Sequence, residues 1–193
     1  MTLEREVKLR ISHSAFMRAL RSAGMTYELK SSTSQEDLYL DFDDCRLMLS
    51  DSVLRIRSSG DGVWITYKGP RHFEGGEKVR EELEALVGSE ECQTILGKLG
   101  ISERCPKDLE RLLGVLNELG IKERVRVRKR RRELRINGME LRVYLDDVEH
   151  LGEFVEVEGE GSMKLVRMLG MNCRVVIPSY ADLIHAVMGS RDS

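Results

Sequence analysis

Apolar and polar residues alternate with a period of two along most of this chain. Glu4, Glu6 and Lys8 share one face of a run ending near Ile11, while Leu3, Arg5, Val7 and Leu9 point the other way. That is the spacing of a strand. The same pattern predicts strands near 26–31, 35–42, 53–59, 63–68 and 77–87, and longer ones at about 123–136, 139–147 and 152–160. Over His13 to Ser22 the period becomes helical, with Ser12 as N-cap and Gly24 as C-cap. Further helices are predicted near 89–99, 107–119, 162–169 and 179–188. Pro106 fits a first-turn position, and Pro178-Ser179 reads as the entry to the last helix. Asn137-Gly138 predicts a hairpin turn, because both residues tolerate positive φ. The segment His72 to Gly76 reads as a loop, and Gly189 to Ser193 as a frayed end.

Eight or nine mostly antiparallel strands in a chain of this size suggest a closed or nearly closed barrel with helices outside, an α+β fold. An open sheet with one wet face alternates in the same way. The charged faces are unusual in carrying like charges two residues apart: Glu4/Glu6, Arg55/Arg57, Glu82/Glu84 after Arg80, Lys129/Arg131 and Glu156/Glu158. Such pairs repel on a solvated surface, whereas a lined cavity that holds a polyanion and a metal uses them. A near-repeat relates residues 95–104 to residues 115–124, with Gly100 matching Gly120. Two successive helices, each ending at glycine, explain it.

Composition narrows the class. The 193 residues are 41% hydrophobic and 33% charged, which excludes a collagen or membrane-spanning composition and argues against disorder. No apolar run approaches the roughly 18 residues of a membrane span. The charged start, Thr2-Leu3-Glu4-Arg5-Glu6, does not read as a signal peptide. Cys45, Cys92, Cys105 and Cys173 form no CxxC pair, so reduced thiols in a cytoplasmic protein are expected. The four histidines show no HxxxH spacing, and no zinc site is expected. Lys+Arg number 31 and Asp+Glu 33, a net charge of −2, which does not suggest a general nucleic-acid binder. Locally the picture differs: a basic stretch from Lys122 to Arg135 precedes an acidic one from Glu140 to Glu160. The basic stretch admits a nucleic-acid reading. It lacks interleaved aromatics, however, and acidic strands follow it, so Arg126, Arg128, Arg130 and Arg132 read as a solvated or dimer-facing edge. A polyphosphate-binding protein without turnover is a further alternative.

Five motifs carry candidate chemistry. Glu4-Arg5-Glu6-Val7-Lys8 sets two carboxylates and an ammonium in one row, and paired carboxylates suit a hard divalent cation. Arg55 and Arg57, with Lys68 of Tyr67-Lys68-Gly69-Pro70, can converge from a hairpin on phosphate oxygens. Arg80, Glu82 and Glu84 form another row, Lys129 and Arg131 a fourth, and the run from Leu145 to Glu158 ends in the pair Glu156 and Glu158.

Taken in order, ExExK, RxR, YKGP, RxExE, KxR, LDxVxxLGxFxExE and a late Ser179-Tyr180 resemble the CYTH family over roughly residues 3–185. These are the triphosphate tunnel metalloenzymes, which include class IV adenylyl cyclases, thiamine triphosphatases and inorganic tripolyphosphatases. The resemblance implies a single CYTH-like domain over 1–188, an eight-stranded antiparallel barrel whose tunnel binds a triphosphate, with a helical insertion at about 89–120. It implies Mg²⁺ or Mn²⁺ on Glu4, Glu6, Glu156 and Glu158. It implies a triphosphate (ATP, tripolyphosphate or thiamine triphosphate) held by Lys8, Arg55, Arg57, Lys68, Arg80, Lys129 and Arg131. Catalytic roles fall on Lys8, Glu6 and Asp146, while Glu82 and Glu84 line a further inward row. The class IV cyclase branch, which turns ATP into cyclic AMP and pyrophosphate, is the first expectation, and a triphosphatase is the alternative. A homodimer is left open. Leu134 departs from the tyrosine that many members carry after the KxR pair.

Overall fold

The structure, a computed structural model, describes residues 2–189; residues 190–193, most of the expected frayed end, lie outside the described residues. In chain order the elements are β1 (Thr2–Leu9), α1 (His13–Ser22), β2 (Tyr27–Phe42), α2 (Arg46–Leu49), β3 (Val53–Ser59), β4 (Gly62–Lys68), β5 (His72–Glu74) and β6 (Glu77–Leu86). Then come α3 (Glu90–Lys98), α4 (Leu109–Glu118), β7 (Ile121–Ile136), β8 (Arg142–Val148), β9 (Gly152–Glu158), α5 (Ser162–Met168), a 3₁₀ turn (Asn172–Arg174) and α6 (Tyr180–Gly189). The sheet runs β1-β9-β8-β7-β2-β3-β4-β6-β5, and β1 also pairs with β6. This closes an eight-stranded antiparallel barrel and leaves β5 outside it. None of the described helices is long and apolar enough to cross a membrane.

The chain packs as two compact units, residues 2–3, 35–71 and 80–127 in the first, and residues 4–34, 72–79 and 128–189 in the second. The first unit is built on Leu38, Leu40, Leu54, Ile56 and Ile65 from the strands, against Ile95, Leu96, Leu112 and Leu116 from α3 and α4. The helical insertion therefore supplies core. The near-repeat is two helix ends: Gly100 and Gly120 adopt φ +77° and +79°, the left-handed conformation that closes a helix. At the first, Ile101 N–H reaches Leu96 O and Gly100 N–H reaches Gly97 O, both at 3.0 Å. The second unit packs Val7, Leu9, Val143, Leu145, Val155 and Val157 against Phe16 and Leu20 of α1 and Leu165 and Val166 of α5. Leu134 is wholly buried there, a core residue.

Local chemistry accounts for most element ends. Ser12 caps α1, its side chain accepting from Ala15 N–H, and Ala23 is the C-cap, with Gly24 the left-handed residue after it. Ser179 and Asp182 cap α6 reciprocally: Ser179 N–H donates to Asp182 Oδ2 at 2.8 Å and Asp182 N–H to Ser179 Oγ at 3.1 Å.

Five expectations need correction. The two predicted strands at 26–31 and 35–42 are one, β2, because residues 31–34 are Ser-Ser-Thr-Ser with no glycine or proline to end it. Residues 72–74 form the short strand β5, paired with β6. Helix α4 starts at Leu109 under the cap Asp108, whose carboxylate accepts from Arg111 N–H at 2.8 Å, so Pro106 lies ahead of the first turn. At the hairpin turn only Gly138 has positive φ; Asn137 donates instead through N–H and Nδ2–H to Thr26. Finally, Cys92 and Cys105 are joined in a disulfide, while Cys45 and Cys173 are free. The turn between α3 and α4 brings the two Cα atoms to 6.0 Å, within bridging reach, although the residues are 13 apart in sequence.

Candidate functional site

Each unit holds a buried cluster of charged side chains. In the second unit β1, β9, β8 and β7 are neighbours, and their register sets the pairs: Glu6 opposite Glu158, Lys8 opposite Glu156, and Arg131 opposite Asp146. Strand β1 is buried on both faces at this end, with Val7 and Leu9 in the apolar core and Glu6 and Lys8 on the charged side.

Ligand oxygens of Glu4, Glu6 and Glu158 all lie within 4.8 Å of one another. Burial is the main reason that the Glu158 carboxyl is pushed up to about 7; Arg131 opposes it, while Glu156, Glu6 and Glu4 add to it. Three hard oxygen donors converging where proton release is disfavoured fit Mg²⁺ or Mn²⁺. Glu156 stands apart from this trio. Its Oε1 lies 3.3 Å from Lys8 Nζ, and its other oxygen accepts from Arg131. Burial works against the Glu156 charge, but Lys8, Arg131, Lys129 and Lys78 together hold it well below the usual carboxylate range.

Arg131 forks onto Asp146, Nε to Oδ1 at 2.7 Å and a terminal nitrogen to Oδ2 at 2.6 Å. Lys129 Nζ is 3.5 Å from Asp146 Oδ2, and Tyr180 O–H donates to the same oxygen at 2.9 Å. Burial opposes ionisation of Asp146, yet Arg131 and Lys129 keep its carboxyl below the usual range. Both oxygens of Asp146 are thus taken up in orienting other groups. The Tyr180 ring lies 4.3 Å from Lys8 Nζ and 5.0 Å from Lys129 Nζ, a cation–π platform under two ammoniums. The Tyr144 ring lies 4.3 Å from the Arg131 guanidinium.

In the first unit the register sets Arg57 opposite Asp37, Arg55 opposite Thr66, and Lys68 opposite Glu82. Arg57 forks onto Asp37 at 2.6 and 2.7 Å. Arg55 donates to Thr66 Oγ1 and Glu84 Oε2, each at 3.0 Å, and Lys68 Nζ lies 3.0 Å from Glu82 Oε1. Burial disfavours the Arg55 charge, but Asp37, Tyr39, Glu84 and Glu82 secure it. Its Nε–H is buried with no acceptor among the described residues. Arg80 is buried in this unit as well. On β7 the two faces separate: Lys129 and Arg131 are buried, whereas Arg124, Arg126 and Arg128 face out and pair with Asp43, with Glu36 and Glu123, and with Glu149.

Sequence reasoning did not single out Asp37, Lys78 or Tyr180 as site residues. Lys78 had a signal, since it continues the every-other-residue row of Arg80, Glu82 and Glu84. Asp37 had none, because only the register with Arg57 reveals it. Tyr180 stood in a motif, but its reach to Asp146 comes from the packing of α6.

The CYTH domain family matches residues 2–164. A Methanocaldococcus jannaschii protein named "Putative adenylate cyclase" is 29% identical over 157 residues, 81% of this chain and 76% of that protein. Among solved structures, a Pyrococcus horikoshii protein, PH1819, superposes with a TM-score of 0.71 at 26% identity, covering 95% of this chain and 98% of that one. A Hippeastrum protein, described as an adenylyl cyclase candidate with a dominant triphosphatase activity, shares the fold with a TM-score of 0.60 at 16% identity, 89% of each chain being covered. The chain belongs to the CYTH family.

Proposed function

We propose that this chain is a divalent-metal-dependent enzyme that converts ATP to cyclic AMP and pyrophosphate, in the manner of class IV adenylyl cyclases. The observation that carries the reading is the convergence of Glu4, Glu6 and Glu158 in the same unit as Lys8, Lys129 and Arg131. Carboxylates gathered for a hard cation, together with buried cations, are complementary to the charges of a metal–triphosphate.

Glu4, Glu6 and Glu158 would hold Mg²⁺ or Mn²⁺, with Glu156 nearer the phosphate cations than the metal. The metal supplies charge neutralisation at phosphate oxygens and makes a hydroxyl easier to deprotonate. Lys8, Lys129 and Arg131 bind phosphate oxygens. Asp146 and Tyr180 are positioning residues that fix where those cations point. Arg55, Arg57, Lys68 and Arg80 of the first unit are further phosphate-binding candidates, and Arg55 Nε–H, with no acceptor among the described residues, is a donor available to a ligand oxygen. The 3′-hydroxyl oxygen attacks the α-phosphorus, the bond to the bridging oxygen breaks, pyrophosphate leaves, and the proton passes to a carboxylate or water. Positioning and fixed charge do most of the work in such transfers.

A second reading, hydrolysis of a triphosphate by water, is favoured by the triphosphatase activity described for the Hippeastrum protein of the same fold. The experiment is to incubate the protein with ATP, tripolyphosphate and thiamine triphosphate, each with Mg²⁺ or Mn²⁺, and to separate the products. Cyclic AMP and pyrophosphate from ATP are expected. Orthophosphate as the main product would replace the cyclase with the triphosphatase. Absence of turnover on all three would remove the enzyme reading.

A further inference from the structure

Lys78, on β6, belongs to none of the motifs, and beyond its field at Glu156 the chemistry above gives it no part. Its ammonium contacts Glu6 Oε1, and the two side chains are only 11% and 7% exposed. Glu6 is also the most buried of the three converging carboxylates. Three carboxylates this close repel one another strongly where little water reaches them. An ammonium on one of them relieves part of that repulsion. A divalent cation that takes an oxygen of Glu6 meets this ammonium at close range, and two cations on one carboxylate repel in turn.

We infer that Lys78 is a built-in competitor of the metal: its ammonium neutralises Glu6 in the metal-free protein and is displaced when a divalent cation binds. The inference rests on the metal reading proposed above. Lysine suits the task because it is a point charge on a flexible four-carbon stem and can swing away without dismantling its neighbours. Arg131 could not do so, since its fork is fixed on Asp146 at 2.6 and 2.7 Å. The device keeps an acidic cluster stable while empty and lowers its affinity for metal alone. It also releases an ammonium toward the arriving anion once metal is present. Metal and phosphate would therefore bind cooperatively.

The test is a titration with Mn²⁺ alone, without substrate, followed by the loss of the free-ion paramagnetic resonance signal. Lys78→Met is expected to tighten Mn²⁺ binding by about tenfold, the scale of one charge contact removed from a partly buried site. Lys78→Arg, which keeps the charge, is expected to stay near the wild type. Metal-free Lys78→Met should also melt lower than the wild type and gain more from added Mn²⁺. Lys78→Gln serves in place of Lys78→Met if that variant does not fold. Equal or weaker Mn²⁺ binding in a folded, uncharged variant would overturn the competitor role and leave the metal reading standing. Mn²⁺ binding that is absent from the wild type and from Lys78→Met, or that survives Glu6→Gln unchanged, would overturn both.

Discussion

The two charged clusters share a device and differ in what surrounds it. In each unit an arginine on one strand forks onto a buried aspartate directly opposite: Arg131 on Asp146 in the second, Arg57 on Asp37 in the first. Around Arg57 the acids face cations, Glu82 meeting Lys68 and Arg55 and Glu84 meeting Arg55. In the unit of Arg131, Glu4, Glu6 and Glu158 converge on one another, and Glu6 also meets Lys78. The lesson is that an arginine–aspartate fork is a general way of fixing a buried guanidinium across a ladder. Carboxylates converging on one another are what turn one cluster into a candidate cation site.

The comparison can be broken most severely by neutralising one of the converging carboxylates. Glu6→Gln is expected to abolish metal-dependent turnover with an unchanged circular dichroism spectrum, whereas Glu82→Gln in the first unit should leave turnover measurable. Near-wild-type rates in Glu6→Gln would erase the distinction between the clusters. Next come the forks: Asp146→Ala and Asp37→Ala each strand a buried arginine and should each cost about 3–5 kcal/mol in denaturant unfolding. A loss confined to one of them would show that the forks are not equivalent. The disulfide lies in the first unit alone; Cys92→Ser should lower unfolding free energy by about 2–4 kcal/mol, and reductant should do the same to the wild type but nothing more to the variant. Arg57→Ala should raise KM for every triphosphate by an amount equal to about 1.5–3 kcal/mol, the worth of a charged hydrogen bond.

The smallest expected effect is on pH dependence. Glu158 binds its proton up to about 7 when folded but only up to 4.5 when unfolded. Between those values the unfolded chain releases a proton that the folded one keeps, so the metal-free protein loses stability as pH rises through that window and no further above it. Glu158→Gln should flatten that part of the stability curve, and a slope unchanged in the variant would assign it to another group.

Much of the fold was legible because alternation survives on strands that bury one apolar and one charged face. The rows Glu4-Glu6-Lys8 and Lys129-Arg131 reported their side of the sheet from spacing alone. The continuous β2 was misread as two strands because Ser31 to Ser34 carries no apolar signal, although nothing in it stops a strand. The Cys92–Cys105 bridge was hidden because its geometry depends on how α3 turns into the approach to α4. In the site, like-charge pairs gave the acids and bases, but partner choice was not in the pattern. That Glu156 meets Lys8 and Arg131, while Glu158 joins Glu4 and Glu6, follows from register and from side-chain reach. Spacing treats the two glutamates alike.

The pairing of β1 with β9 has a consequence for how the protein comes into being. Strand β1 must wait for a neighbour made well after it, since Glu6 lies opposite Glu158. Such distant pairings form slowly. A nascent or truncated chain lacking β9 therefore cannot assemble the carboxylate trio at all, and any capacity to capture the ion would arrive in one step, with completion of the barrel.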